Sequence, residues 1–226
     1  MSQRNEHGAQ GTQDAQGAQD QGLRARLVET GVDLVAREGV AALSLREIAR
    51  RAGVSHGAPR RHFPTHVSLL SAIARQGFAD LAEEVATALA GGAGGGSTSS
   101  PAPRAQLADL SRTYLRFALE NRGMFELMFR HDLLESKELG LRDTSLPLFA
   151  VFVDLVARAR PPHGAEAAVI AGALWANLHG IAQLWGWGSL QLATGADDVE
   201  PLLRAALDAH LGPESPAHPG PEPHAR

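Results

Sequence analysis

The sequence predicts an all-α protein: an N-terminal three-helix helix-turn-helix headpiece followed by a C-terminal helical domain. Three observations carry this. Residues 44–70, SLREIARRAGVSHGAPRRHFPTHVSLL, hold two short helical patterns joined by a tight glycine-containing turn. Elsewhere, apolar residues recur at helical spacing over long runs. One run, Glu166 to Gly188, is apolar around nearly its whole circumference, the pattern of a helix buried on all sides. The bulk numbers fit. A chain of 226 residues with 44% apolar residues has ample material for a core. The absence of cysteine removes disulfides, thiol catalysis and cysteine-based zinc sites, and suits a reducing cytoplasm.

Met1 to Gln21 is Gln, Gly, Ala and Asp with almost no bulky apolar residue, so residues 1–21 are expected to be a disordered tail. The first helix is expected over Leu23 to Glu38, with Leu27, Leu34 and Val35 inward and Gly39 ending it. Ser44 and Glu47 have the spacing of a capping box. Leu45, Ile48, Ala49 and Ala52 then line one face of a short helix that Gly53 stops. Ser55 is the next cap candidate, so a second helix is expected from about Ser55 to His62. Pro59 lies in its first turn or marks where the helix proper begins. The outward residues are His56, Gly57, Arg60 and Arg61. A small polar face with two arginines suits a DNA major groove, where Arg pairs bidentately with guanine edges or grips phosphates. The headpiece is therefore placed at 22–66.

Charge is distributed accordingly. Between Leu23 and Arg75 nine arginines face four acids, a net of +5, which leaves −9 for the rest of a chain whose total is −4. A basic module on an acidic body favours one nucleic-acid-facing end.

The regulatory domain is placed at 67–211. Phe63-Pro64 breaks the second helix, and Thr65 caps a long one over His66 to Ala90, with Leu69, Leu70, Ile73, Phe78, Leu81, Val85 and Leu89 on its apolar side. Residues 91–103, rich in Gly and Ser, read as a flexible loop between helices. The next helix runs over Arg104 to Asn121 with Leu107, Leu110, Tyr114, Phe117 and Ala118 inward. Met124, Phe125, Leu127, Met128 and Phe129 follow; such a cluster makes either core or the lining of an adaptable ligand pocket. His131-Asp132 has no second histidine at metal spacing, so no metal site is read. After a polar, loop-like 135–141, Thr144 or Ser145 is expected to cap a helix over Leu146 to Arg158, which Pro161-Pro162 ends.

The run Glu166 to Gly188 must be covered on every side, and a second copy of the chain is the economical cover. The last helix, Val199 to Leu211, can pair with it in a four-helix dimer interface. Leu174, Leu178, Ile181, Trp185, Leu203 and Leu207 are the interface candidates. Although Ala167 to Leu192 is long enough to span a bilayer, it contains Asn177, His179 and Gln183 and lacks a flanking Lys/Arg belt, so no membrane partner is expected. Residues 212–226 are Pro- and His-rich and read as a second disordered tail without a metal site.

The motif stretch resembles the DNA-binding domain of the TetR (tetracycline-repressor-like) transcriptional regulators. Ser44, Ile48, Ala49, Ala52, Gly53, Val54, Ser55, Gly57, His62, Phe63 and Leu69 match that family's pattern at its spacing. Two positions depart: Arg60 stands where the family usually has Tyr, and His66 where it usually has Lys. Both family positions commonly touch DNA phosphates, and His66 would be a pH-dependent partner. Trp175, His179 and Gly180 also resemble the Trp-His-Gly signature of one TetR-like C-terminal subclass. The resemblance implies operator DNA contacts from Ser44, Arg46, Ser55, His56, Gly57, Arg60, Arg61, His62, Thr65 and His66. It also implies a small hydrophobic effector among Phe78, Met124, Met128, Phe149, Trp175 and His179, coupled to the headpiece through the long helix.

The function expected is that of a cytoplasmic, homodimeric repressor on double-stranded operator DNA, released by that ligand, with no cofactor. Beside it stand an effector-independent DNA-binding dimer or activator, and an α-helical enzyme. The enzyme reading lacks a Cys nucleophile, a His-Glu-x-x-His zinc motif and a phosphate loop, since Gly91–Gly96 has no Lys-Ser/Thr ending.

Overall fold

The computed structural model describes residues 6–91, 102–135, 140–159 and 165–213, with side chains from residue 19 onward except at residue 135. Among these the chain is all α-helix, as its sequence predicts. The helices are α1 (Glu6–Glu38), α2 (Leu45–Arg51), α3 (Ala58–His62), α4 (His66–Gly91), α5 (Pro103–Glu120) and α6 (Arg122–Met128). They continue with α7 (His131–Glu135), α8 (Leu141–Ala159), α9 (Ala167–Gly186), α10 (Ser189–Thr194) and α11 (Glu200–Leu211). A 3-10 turn, Val40–Ala42, joins α1 to the segment before α2. Most of the expected loop 91–103, the polar stretch near 136–139, Pro161-Pro162 and the tail beyond 213 lie outside the described residues.

The structure forms two compact units. The first comprises residues 1–87 and 116–149, the second 88–115 and 150–226. In the first, α1 packs against α2, α3 and α6. Leu27, Leu34, Ile48, Phe63, Leu69 and Ile73 are buried to within 1% of complete at the centre of the headpiece. This unit is larger than residues 22–66 because α6 rests on α1 and on the 3-10 turn. That approach is possible only because residue 123 is glycine: a β-carbon there would stand 2.5 Å from the Val35 carbonyl oxygen. In the second unit, α9 packs on α10 and α11. Arg112 clasps Glu200 through both carboxylate oxygens, and Arg104 bonds Asp208 and the Gly212 carbonyl, so α5 is pinned along α11.

Several sequence expectations need correction. The stretch expected to be disordered is helical from Glu6, so α1 begins seventeen residues before Leu23. The composition argument weighs burial alone; alanine and glutamine extend an existing helix at little cost, because nucleation has already been met downstream. The second motif helix begins at Ala58, not Ser55, and Gly57 is its N-cap. Residues 56–57 form a turn, and Pro59 occupies the first helical turn, where its missing N–H is not needed. α8 starts at Leu141, five residues early, and carries Pro147 inside it.

Within one chain the apolar run is buried along a single stripe. In α9 only Ala171, Leu174, Leu178 and Ala182 are buried, one stripe of the helix, whereas Val169, Leu184 and Trp187 are exposed. α9 is long and apolar enough to cross a membrane by length and composition, with a mean hydropathy of 1.3. Its stripe-like burial against α11 is that of a helix in a folded bundle.

Candidate nucleic-acid interface

The motif is built by caps. Ser44, in extended conformation, accepts a hydrogen bond on Oγ from the Glu47 backbone N–H at 3.2 Å and so starts α2. At its far end Gly53 has φ +67°, and its N–H donates to the Arg50 carbonyl while the Val54 N–H donates to Ala49. This is the paired closure of a Schellman turn, and the left-handed angle is one that glycine adopts without strain. A second reciprocal cap starts α4: the Ser68 N–H donates to Thr65 Oγ1 at 2.9 Å, and the Thr65 N–H donates to Ser68 Oγ at 3.2 Å. Ser44→Ala is expected to cost about 1 kcal/mol of the first unit's stability. An unchanged urea midpoint would show that the cap contributes nothing.

The predicted reciprocal bond from Glu47 to the Ser44 backbone is replaced by something else. Both Glu47 oxygens are taken by Arg50, at 2.6 and 2.8 Å, and one also by Arg51 at 2.7 Å; Arg51 reaches on to Glu38 at the end of α1. Hydrogen bonds from the two guanidinium groups hold the Glu47 carboxyl down at a pKa of about 2. Arg50 and Arg51 are thus internal counter-charges that brace α2 on α1. Among the described residues, Arg46, Arg60 and Arg61 form no ion pair and are exposed. His56 and Gly57 lie exposed in the turn before α3, with exposed Ser55, whose backbone carbonyl accepts from Ala58.

His62 and His66 are placed differently from the arginines. The His62 side chain is only 10% exposed, and its Nε2 lies 4.0 Å from the Asp20 carboxylate. One turn further along α1, the Arg24 guanidinium sits 5.0 Å above the Phe63 ring. His66 places Nε2 2.9 Å from the Leu43 carbonyl. A carbonyl only accepts, so that nitrogen carries the proton and ties the start of α4 to the segment before α2. Nε2 is therefore not the atom with which His66 would meet a phosphate. Thr65 likewise uses its hydroxyl as a cap.

The residues expected to line a ligand pocket fall into separate groups. Phe78, Met124 and Met128 are packed core in the first unit, none more than 6% exposed. Phe129 stacks edge-on against Phe78 at 5.5 Å and tilted on Phe125 at 4.9 Å. A methyl group added at Gly77 would stand 2.6 Å from Met124 Cγ, so no room is left between α4 and α6 there. Phe149 is half-buried on α8. In the second unit, Trp175 Nε1–H donates to the Tyr114 hydroxyl at 3.2 Å, which lies 2.9 Å from His179 Nδ1. With the indole as donor, the phenol passes its own proton to the imidazole, an order that needs neutral His179. Burial pushes the His179 pKa down and that of the Tyr114 phenol up, in agreement with that order. Tyr114 is the chain's single tyrosine; the sequence places it inward but gives no sign that it bridges Trp175 and His179.

The interface candidates divide. Leu174, Leu178, Leu203 and Leu207 are buried within the chain, at 5% exposure or less, where α9 meets α11. They are not on offer to a second copy, because the apolar stripe the sequence shows is consumed by the chain's own last helix. Ile181 and Trp185 are half-exposed. The opposite side of α9 carries the exposed Val169 and Leu184, and β-carbons added at Gly172 or Gly180 would meet nothing within 4 Å.

Residues 27–73 match the model of the bacterial regulatory proteins of the tetR family, and residues 107–210 match the tetracyclin repressor-like C-terminal domain. A protein of unknown function from Rhodococcus sp. RHA1 is 30% identical over 84% of this chain and 93% of its own, with a TM-score of 0.68. The multidrug binding protein EbrR, solved in complex with imidazole, is 25% identical over 86% of this chain and 96% of its own, with a TM-score of 0.55. The TetR transcriptional regulator SCO0520 from Streptomyces coelicolor, 24% identical over 85% of this chain and 99% of its own (TM-score 0.50), shares the fold. No curated protein matches the sequence. A helix-turn-helix on an all-α body defines a DNA-binding transcriptional regulator. The chain belongs to the tetR family of bacterial regulatory proteins.

Proposed function

We propose that the protein is a cytoplasmic homodimeric repressor in which α3 enters the operator's major groove and a small hydrophobic ligand releases it. The observation that carries the DNA half is the exposed pair Arg60 and Arg61, which have no ion-pair partner among the described residues, beside the exposed Arg46 on α2. The cations that serve the fold, Arg50 and Arg51, are held by Glu47 and Glu38 instead. This separation supports three arginines that keep their donors for phosphates and base edges. Ser44, Ser55, His56 and Gly57 adjoin them; Thr65 and His66 act chiefly as ties within the headpiece.

The uncovered side of α9 supports the dimer. Val169 and Leu184 are exposed there, and the open surfaces at Gly172 and Gly180 permit close approach of another helix. With the exposed Trp187, this face replaces the leucines now seen in the core. The Trp175–Tyr114–His179 chain supports kinship to the Trp-His-Gly subclass and is the polar feature an effector would meet in the second unit.

The close packing of Phe78, Met124 and Met128 favours a second reading, an effector-independent DNA-binding dimer or activator, because those three side chains are buried core. Binding of the purified protein to its own promoter region and to random DNA, titrated with salt, tests the DNA reading. The expected result is a salt-sensitive preference for the promoter; equal affinity for both would overturn it. Light scattering is expected to give twice the chain mass. A monomer would remove the dimer.

A further inference from the structure

α1 extends well ahead of the helix-turn-helix, starting at Glu6. Residues 6–22 carry Glu6, Asp14 and Asp20 and no lysine or arginine. The helix brings Asp20, near the end of this segment, beside the last turn of the recognition helix, which holds Arg60, Arg61 and His62. Asp20 Oδ1 is 4.0 Å from His62 Nε2, and Asp20 is 74% exposed. Arg24 over Phe63 fixes the same edge one turn later. The Asp20 carboxylate is exposed to solvent beside His62, on the helix whose last turn also carries Arg60 and Arg61, and at 4.0 Å from that ring its charge is little screened at ordinary ionic strength.

From this juxtaposition we infer that Asp20 is an electrostatic brake on DNA binding, a negative charge held beside the recognition helix by the N-terminal extension of α1. It lowers the positive potential that phosphates meet at the end of α3, where it stands 4.0 Å from His62. The brake acts most on sequence-independent affinity, because that component is almost wholly charge attraction. It therefore sharpens the ratio of operator to random binding without touching a base. The inference rests on the DNA reading of α3.

The test uses the full chain with Asp20→Asn, and Glu83→Gln as a control that removes an equal charge from an exposed position on α4. Affinities for the protein's own promoter fragment and for random duplex are measured at low and high salt, with thermal melting as a check on folding. Asp20→Asn is expected to tighten random-duplex binding roughly two- to fivefold near 50 mM salt, with the gain fading at higher salt as screening grows. Glu83→Gln is expected to change it far less. In a His62→Gln background the gain is expected to shrink, since part of the Asp20 effect passes through that ring. Unchanged or weakened DNA binding in a well-folded Asp20→Asn would overturn the brake while leaving α3 as the reader. An equal gain from Glu83→Gln would also overturn it, by showing a general effect of net charge. If the unaltered protein binds neither DNA in a salt-sensitive way, the DNA reading fails, and the brake falls with it.

Discussion

Gly123→Ala is expected to destabilise the first unit by about 2–3 kcal/mol, read as a fall in the urea midpoint with little change in slope. The added β-carbon would stand 2.5 Å from the Val35 carbonyl oxygen and 3.3 Å from Gly39 Cα. Both are backbone atoms of α1 and the turn that follows it, so no side chain can rotate away. α6 has to lift from α1, opening contacts around Met124, Phe125 and Met128, which are all nearly buried. Gly22→Ala is the matching control. A β-carbon there meets nothing within 4 Å, and α1 is already helical around it. That change is expected to stabilise by roughly 0.5–1 kcal/mol through helix propensity. Equal midpoints for the two variants would mean that α6 does not need its present seat.

Arg60→Ala and Arg61→Ala are each expected to weaken operator binding about 10- to 100-fold, the scale of one lost charge-assisted contact. Neither should alter melting temperature or association state. Both side chains are exposed and make no ion pair among the described residues, so their removal leaves the headpiece core intact. If one of them reads a base, its loss relaxes preference at that position. If it grips a phosphate, binding falls alike for every sequence. Unaltered affinity in both variants would remove α3 as the reader.

What was legible in the sequence is what is decided within a few residues. The Ser44 cap, the Gly53 turn and the Thr65 cap depend on neighbours three to five positions away, and each forms where its residues stand. α3 starts three residues after Ser55 because Ser55, a good cap by type, lies ahead of a turn that Gly57 closes. Glu47 carried two signals at once, a cap partner for Ser44 and an acid three and four residues before arginines. The arginines won, since a bidentate guanidinium pair outweighs one neutral backbone donor. The α9 pattern said that the helix is apolar all round, but not which stripe the chain's own α11 would claim. Arg112 with Glu200, 88 residues apart, and Tyr114 with His179, 65 apart, have no local signature. Only the folded chain brings these pairs into register.

The clamp on Glu47 limits how strongly binding can depend on counterion release. Each phosphate neutralised by a protein cation frees the ions condensed on it, and the number freed sets the slope of log affinity against log salt. A tally that includes Arg50 and Arg51 with Arg46, Arg60 and Arg61 gives five cations, or a slope of roughly −4.5 for each headpiece. The structure assigns Arg50 and Arg51 to carboxylates of their own chain, with nothing left to displace on DNA. Three cations remain, for a slope of roughly −3. At that slope each headpiece would give up on the order of 50-fold in affinity between 50 and 200 mM salt, against roughly 500-fold for five free cations.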